Sequence, residues 1–354
     1  MSYTEDLQRQ IHDSYEEFKN QKLKIALIGQ PGAGKSSLTN KILGQDVFRV
    51  SQQTDTTKDA ESHEYGNLII TDLPGYGTKM FPVDKWVEQF SVSDYDLYIF
   101  VFAGKLHDSD SKLFEMLEKW KNERNHPYFI VRNKADDIWE DGKTDEELRE
   151  IVRADVRDRS GLGDCKVYFT SCRKIEGIDE LKEDIEKSKL DDVKKGKFVA
   201  AFKARSLRDL ENKKAHCYDA VDRHAIAAAA NGLNPIPGVD AAVDIGIVFD
   251  MFSDIRNVFD LDPSKTDEYM KFAAPVAKNV MSYVSKDQIA KYLSKYATEF
   301  VGKSVAKYFP FVGQAISVGI SYFAIEKAGK IYVDNCFELA KEIMGKSIDA
   351  KCDC

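Results

Sequence analysis

A glycine-rich stretch at residues 29–36, GQPGAGKS, constrains the fold of this 354-residue chain more than any other feature. It follows the apolar run LKIALIG and precedes SLTNKIL, which has the spacing of a helix. In a G-x-x-x-x-G-K-[ST] pattern between a strand and a helix, the glycines let backbone N–H groups wrap around phosphates, and the helix start favours the anion. The sequence therefore predicts a phosphate-binding loop formed by Gly29, Gln30, Pro31, Gly32, Ala33, Gly34, Lys35, Ser36 and Ser37.

Apolar runs of strand length recur through the first half of the chain and alternate with helical patterns. The runs NLIITD, LYIFVF, YFIVRN and KVYFTS follow LKIALIG, with helical stretches such as DSKLFEMLEKWKNER between them. This alternation is typical of a mostly parallel sheet covered by helices on both faces. Residues 3–20 have the pattern of a polar amphipathic helix, and residues 191–354 contain helical patterns without a convincing strand. We therefore expect an α/β domain over residues 22–190 and an all-α domain built from residues 1–21 and 191–354.

The composition is that of a soluble globular protein, with 43% hydrophobic and 31% charged residues. A formal net charge of −8 argues against a general affinity for nucleic acid. The six cysteines are widely spread and none has zinc-site spacing, which favours free thiols in a reducing compartment. No uninterrupted apolar run reaches the ~18 residues of a spanning helix. Because the N-terminus also lacks the apolar core of a signal peptide, we expect a cytoplasmic protein.

The motif DLPG follows the phosphate loop and is expected to complete the phosphate side of a nucleotide site. Lys35 would reach the outer phosphates, and Ser36 would bind Mg²⁺ through its hydroxyl. Asp72 opens DLPG at the end of a predicted strand, where a carboxylate can hold Mg²⁺, usually through water. The backbone N–H of Gly75 can contact the terminal phosphate, so loss of that phosphate would release the loop. At this distance behind a phosphate loop, DLPG is a strong sign of a nucleotide switch.

The motif NKAD at residues 133–136 is expected to recognise the base. Asp136 can accept two hydrogen bonds from the guanine N1–H and exocyclic amine, a donor pair that adenine lacks. Lys134 can pack its stem along the base plane, and Asn133 can brace the loops. The next predicted strand ends in SCR, where a backbone N–H could meet the guanine carbonyl, and this run comprises Ser171, Cys172 and Arg173. All these motifs stand in the order and at the strand ends expected of a Ras-like GTP-binding domain.

The segment QQTDTTKDA, between the phosphate loop and DLPG, is expected to supply another Mg²⁺ ligand. Our choice is the hydroxyl of Thr57, with Thr56 as the alternative. Many GTPases place a glutamine directly after D-x-x-G to orient the attacking water, whereas this chain has Tyr76. At the distance that a glutamine side chain reaches, a phenol cannot both accept a hydrogen bond from water and donate one to phosphate. The water would therefore be positioned by Asp55, by Arg49, by a backbone carbonyl or by a group from a second molecule.

These motifs together resemble the immunity-related GTPases, a branch of the dynamin-like large GTPases. The resemblance is carried by GQPGAGKSS, DLPGYGTKMFP, YDLYIFVFAG and YFIVRNKADD, with the N-terminal helix and the helical C-terminal half. It implies binding of GTP, GDP and Mg²⁺, GTP hydrolysis, self-assembly through dimers of the GTPase domain, and action on membranes around vacuoles. Family members have an acidic residue two positions before the magnesium threonine that is implicated in hydrolysis across the dimer. Asp55 stands two positions before Thr57, so the resemblance gives Asp55 that role.

This chain departs from the family at two motif positions. NKAD stands where many vertebrate members have TKxD, and Gly32 occupies the position where potassium-dependent GTPases have asparagine. The second departure argues against a role for potassium. Two other functions stay open: a monomeric regulatory switch whose helical half is an effector module, and a nucleotide-binding scaffold with little hydrolysis.

Two further features bear on membranes. The chain ends in KCDC, so lipid chains on Cys352 and Cys354 would give a stable anchor, and the alternative is an unmodified tail. The apolar stretch at residues 234–252 is interrupted by aspartates, which are costly at the centre of a bilayer. We expect a core helix beginning near residue 237, and any membrane association would then be peripheral.

Overall fold

The chain divides into two compact units. One, the α/β unit, comprises Gln21–Phe202, and the other, the helical unit, comprises Met1–Asn20 and Lys203–Cys354. The α/β unit is therefore an insertion in the sequence of the helical unit. The structure, a computed structural model, describes residues 3–30, 32–48, 60–76, 82–161, 165–230, 244–301 and 313–352.

A six-stranded sheet forms the centre of the α/β unit. Its strands are β1 Leu23–Gly29, β2 Glu61–Tyr65, β3 Leu68–Asp72, β4 Leu97–Phe102, β5 Tyr128–Asn133 and β6 Val167–Thr170. They lie in the order β2-β3-β1-β4-β5-β6, and every neighbouring pair is parallel except β2 and β3. Strand β4 is buried along its whole length, as expected of a strand covered on both faces. The prediction of a mostly parallel sheet is confirmed, with a strand at each predicted apolar run.

Strand β2 is not predicted by the apolar pattern. Its sequence, ESHEY, is polar and largely exposed because the strand lies at the sheet edge and pairs only with β3. Gly66 and Asn67 join the two strands, and a Gly-Asn pair between short runs is a hairpin signal. That dipeptide is the signal that could have located β2.

Helices cover both faces of the sheet, as the alternation of strands and helices predicts. On one face lie α2 (Lys35–Leu43), α6 (Ile178–Glu186) and α7 (Asp192–Ala201), which share an apolar core with β1 and β3. On the other face lie α3 (Val83–Gln89), α4 (Asp108–Arg124) and α5 (Asp145–Ser160), in a second core. This arrangement brings the carboxyl ends of the parallel strands to one edge, where open α/β sheets bind ligands.

The α/β unit extends beyond residue 190, where the sequence suggested its end. Phe198 and Phe202 are each 1% exposed and belong to the apolar core beneath β1. Lys194 also donates to Asp96 over 2.8 Å. Helix α7 is therefore part of the α/β unit, because its apolar side chains complete one face of the sheet.

The helical unit consists of α1 (Tyr3–Asn20), α8 (Leu207–Ala229), α9 (Ile245–Val258), α10 (Thr266–Met281), α11 (Lys286–Val301) and α12 (Gly313–Cys352). Its apolar core is separate from the two cores of the α/β unit. The predicted N-terminal helix is confirmed with the expected bounds. Tyr15 of α1 is 5% exposed in this core, and Lys19 forms an ion pair with Asp250 of α9 at 2.5 Å.

Helix α9 begins later than the sequence suggested. Asp244 has extended backbone angles, and its carboxylate accepts from the N–H groups of Gly246 at 2.9 Å and Ile247 at 3.2 Å. A continuous helix from about residue 237 is therefore wrong, because Asp244 caps the helix instead of continuing it. Val248 and Phe252 are fully buried, which confirms a core helix. Within the described part of the chain, no helix has both the length and the apolarity needed to cross a membrane.

Candidate nucleotide-binding site

The phosphate loop follows β1 and requires glycine at its ends. Gly29 has φ +139°, and a Cβ there would lie 1.9 Å from the backbone oxygen of Val101 in β4. Gly34 has φ +86° and caps α2, and a Cβ there would lie 2.5 Å from Asn133 Nδ2. Both positions therefore exclude a side chain, and the second brings the loop against the predicted base-recognition motif.

The other loop residues surround the start of α2. Gln30 donates through Nε2 to the carbonyl of Lys105 over 2.8 Å, which ties the loop to the chain after β4. Ala33 is buried, Gly32 is exposed, and Ser36 and Ser37 are half-buried in the first turn of α2. The unpaired N–H groups of this turn favour an anion in front of the loop.

Lys35 and Asp72 meet at the carboxyl ends of β1 and β3. Lys35 Nζ lies 3.4 Å from Asp72 Oδ1 and donates to the carbonyl of Gly29 over 3.3 Å. Burial raises the pKa of Asp72, while Lys35 and a hydrogen bond from Ser36 lower it. Burial of this carboxylate beside one lysine therefore favours a further positive charge at the same place.

The donor set at this point fits Mg²⁺. Asp72 Oδ1 is buried and has no hydrogen-bond partner of good geometry, so it is an acceptor that a cation or its bound water can satisfy. Ser36 provides a hydroxyl next to it, and Mg²⁺ prefers such hard oxygen ligands together with phosphate oxygens.

Asn133 links the phosphate loop to both segments that the sequence predicts to recognise the base. It is 1% exposed, and its Nδ2 donates to the carbonyl of Ala33 over 2.8 Å. Its Oδ1 accepts from Thr170 Oγ1 over 3.0 Å and lies 3.6 Å from Cys172 Sγ. The bracing role predicted for Asn133 thus has a definite set of contacts, and Thr170 is a member that the sequence did not reveal.

Asp136 lies on the rim of this site with its side chain 9% exposed. A hydrogen bond from Ser171 lowers the pKa of Asp136, and Arg173 acts in the same direction from 3.7 Å. The carboxylate is therefore ionised at neutral pH and can accept two N–H donors of a base. Lys134 is exposed, and its φ of +56° turns the chain between β5 and Asp136.

Two neighbours complete the base end of the site. Arg173 is 79% exposed and lies 3.3 Å from Asp137, so it stands at the outer rim. Burial raises the pKa of Cys172, whose thiol therefore stays protonated and acts as a weak donor toward Asn133.

Tyr76 does not face the phosphate loop. Its hydroxyl donates to Asp110 Oδ1 of α4 over 2.6 Å, and its ring packs against Trp86 of α3 at 5.0 Å. A side chain held in this way cannot orient water at a phosphate. No spacing in the sequence signals the contact between Tyr76 and Asp110.

Several predicted site residues lie outside the described part of the chain: Pro31, Arg49, Asp55, Thr56, Thr57 and Cys354. Cys352 is the last residue of α12. The roles assigned to these residues stay predictions.

The model of one family, described as interferon-inducible GTPase, matches residues 4–344. This chain belongs to the interferon-inducible GTPase family. Interferon-gamma-inducible GTPase 10 of Mus musculus is 22% identical over 350 residues, which cover 92% of this chain and 82% of that protein. Interferon-inducible GTPase 1 of Mus musculus is 29% identical over 42% of this chain and 37% of that protein.

Among solved structures, Aquifex aeolicus Era bound to GDP and AlF₄⁻ is 21% identical over 58% of this chain and 67% of that one, with a TM-score of 0.38. The family membership confirms the resemblance to immunity-related GTPases found in the sequence. The protein is accordingly a GTPase with a P-loop fold, and its ligand is a guanine nucleotide.

Proposed function

We propose that this protein binds GTP together with Mg²⁺ at the carboxyl edge of the sheet and hydrolyses GTP to GDP and phosphate. The observation that carries the proposal is the meeting of Lys35 and Asp72 at 3.4 Å, beside a phosphate loop that Asn133 braces from the base side. Ser36, Thr57 and Asp72 would hold the Mg²⁺, which supplies positive charge against the phosphate oxygens.

The chain's own groups have distinct roles in this proposal. Lys35 and the N–H groups of the loop bind the outer phosphates, and the Gly75 N–H contacts the terminal phosphate. Asp136 accepts from the guanine edge, with Lys134 along the base plane and the 171–173 segment beside the guanine carbonyl. Water attacks the terminal phosphorus, the bond to the bridging oxygen breaks, and the leaving charge stays on GDP.

The variant Lys35→Ala tests the phosphate site. We expect it to abolish GTP binding and phosphate release, because the charge that faces the outer phosphates is removed. Lys41→Ala, in the last turn of the same helix, is the matched control and should behave as wild type. Normal GTP affinity in Lys35→Ala would contradict the assignment of the loop.

We further propose that GTP drives self-assembly through the GTPase domain, as the family resemblance implies. The orientation of Tyr76 supports this idea. Tyr76, the residue after DLPG, donates its hydroxyl to Asp110, so another group must orient the attacking water. Asp55 is our candidate, acting across a dimer. Light scattering with GTP and with GDP separates this function from a monomeric switch, for which both nucleotides should give the same particle size.

A cytoplasmic location with peripheral action at membranes is the last part of the proposal. The family resemblance supports it, and lipid chains on Cys352 and Cys354 would add a stable anchor. Co-sedimentation with liposomes, with and without residues 352–354, tests it. Equal recovery in the supernatant with and without liposomes would contradict membrane action.

A further inference from the structure

The segment after β3 is held at three points. Leu73 N–H donates to the carbonyl of Leu27 over 3.0 Å, which continues the strand pairing. Trp86 Nε1 donates to the carbonyl of Pro74 over 2.9 Å, and Tyr76 reaches Asp110 over 2.6 Å. Gly75 therefore lies between two neighbours, Pro74 and Tyr76, that are each held by a hydrogen bond to another element.

The Tyr76 anchor is buried and charge-assisted. Asp110 is 2% exposed, and its second oxygen accepts from the backbone N–H of His107 over 2.7 Å. Trp86 is fully buried and packs against the Tyr76 ring. Hydrogen bonds to an ionised acceptor are stronger than neutral ones, and a buried carboxylate left without its donor is costly. The bond therefore resists release while α3 and α4 stay packed.

The hydroxyl of Tyr76 stays a donor throughout the physiological pH range. Burial, with the nearby charge of Asp110, raises the pKa of Tyr76 far above its ordinary value. Tyr76 therefore keeps the proton that it donates in this bond over that pH range.

We propose that Tyr76 is a positioning residue that makes the site discriminate between a nucleoside triphosphate and a diphosphate. Its bond to Asp110 pre-orders Gly75, so the Gly75 N–H is presented to the terminal phosphate without an entropic cost at binding. A diphosphate does not reach Gly75, so the pre-ordering of Gly75 does not increase its affinity. The inference rests on the proposed function, because it assigns Gly75 to the terminal phosphate of GTP.

A purely structural role for Tyr76 makes a different prediction. Loss of packing or stability in the α/β unit would weaken the binding of both nucleotides, because both use the phosphate loop and Asp136. Loss of pre-ordering at Gly75 alone weakens only the triphosphate. The ratio of the two affinities therefore separates the roles, whereas activity alone does not.

The test compares Tyr76→Phe with a matched control, Tyr128→Phe. Tyr128 also donates its hydroxyl to a carboxylate of α4, Glu118, over 2.7 Å, but at the opposite end of the helix from Asp110. Affinities of the whole 354-residue chain for GDP and for the slowly hydrolysed analogue GTPγS are measured with Mg²⁺ at times too short for turnover, and melting temperatures are recorded for each variant.

For Tyr76→Phe we expect about a tenfold loss of GTPγS affinity, which corresponds to ~1.4 kcal/mol, with GDP affinity within about twofold of wild type. Tyr128→Phe should leave both affinities unchanged. Asp110→Asn should show the same selective loss of GTPγS affinity. The double variant with Tyr76→Phe should lose no more GTPγS affinity than either single variant, because both substitutions remove the same hydrogen bond.

Two outcomes of the affinity measurements would overturn the inference. One is a Tyr76→Phe protein whose affinities both equal those of wild type, and the other is an equal loss of both affinities. Amide hydrogen exchange at Leu73, Gly75 and Tyr76 gives a second readout that does not need nucleotide, and exchange in Tyr76→Phe as slow as in wild type would also refute the inference. Wild-type protein that binds neither nucleotide would overturn the proposed function as well, so the two failures are distinguishable.

Discussion

At the residue scale, the site depends on a few buried polar side chains that connect separate loops. Asn133 joins the phosphate loop at Ala33 to Thr170 and Cys172, which lead into the segment beside the base. A Cβ on Gly34 would collide with the same Asn133 amide. One side chain thus fixes the phosphate loop relative to the segments predicted to recognise the base.

Asp136→Asn is expected to change the base preference of the site. Guanine presents two N–H donors, and the neutral amide of asparagine accepts them less well and adds a donor. Affinity for GDP should fall roughly 100-fold, the equivalent of losing two hydrogen bonds to a charged group. Binding of xanthosine diphosphate should improve, because xanthine has a carbonyl in place of the amine.

Titration of both nucleotides against Asp136→Asn and the neighbouring variant Asp137→Asn provides the measurement and its control. Asp137 is half exposed and contacts Arg173, so its variant should keep guanine selectivity. Unchanged GDP affinity in Asp136→Asn would refute the base assignment.

At the element scale, the close approach of α8 and α12 depends on Gly329. A Cβ at Gly329 would lie 2.8 Å from Val221 Cγ1 of α8 and 3.1 Å from Met251 Cε of α9. Gly345, in the same helix, has no atom within 4 Å of such a Cβ. The two glycines therefore differ in their packing although they share one helix.

The same substitution at these two glycines should change stability in opposite directions. Gly329→Ala is expected to lower the free energy of unfolding of the helical unit by about 1 kcal/mol or more, through overpacking. Gly345→Ala should raise it by about 0.5–1 kcal/mol, because alanine restricts the unfolded chain and favours the helix. Calorimetric melting of the full chain measures both, and shifts of the same sign would contradict the packing of α8 against α12.

The sequence predicts the elements whose patterns are local and misses contacts made at a distance. The apolar strands and the amphipathic α1 follow from periodicity alone. The edge strand β2 is missed because its sequence, ESHEY, is almost entirely polar and shows no apolar alternation. Helix α7 is assigned to the other unit because a helical pattern does not indicate which core the helix joins. Helix α9 starts at Ile245 because the Asp244 carboxylate caps it, which competes with continuing the helix.

In the candidate site, too, the sequence predicts the residues that belong to local motifs and misses a contact between distant residues. The positions of Lys35, Asp72, Asn133 and Asp136 follow from motifs at strand ends, and the sheet brings these residues to one edge. The bond between Tyr76 and Asp110 joins residues far apart in sequence and has no spacing rule, so only the structure reveals it.

At the scale of the whole molecule, each unit has its own apolar core. The helical unit is built from two stretches of sequence that flank the inserted α/β unit in the chain. The ion pair between Lys19 of α1 and Asp250 of α9 joins these two stretches. Contacts of such long sequence separation slow folding, because the chain loses loop-closure entropy before they form. All the nucleotide motifs lie in the inserted unit, and the helical unit keeps the α8 and α12 packing as its own source of stability.

The proposed GTP-driven assembly is tested most directly by single-turnover phosphate release from Mg²⁺ and GTP at increasing protein concentration. Since Tyr76 is bound to Asp110 and cannot orient the water, we expect the rate constant per molecule to rise with concentration as dimers form. Lys35→Ala should release no phosphate at any concentration. A wild-type rate constant that stays the same across the concentration range would refute hydrolysis that depends on dimers.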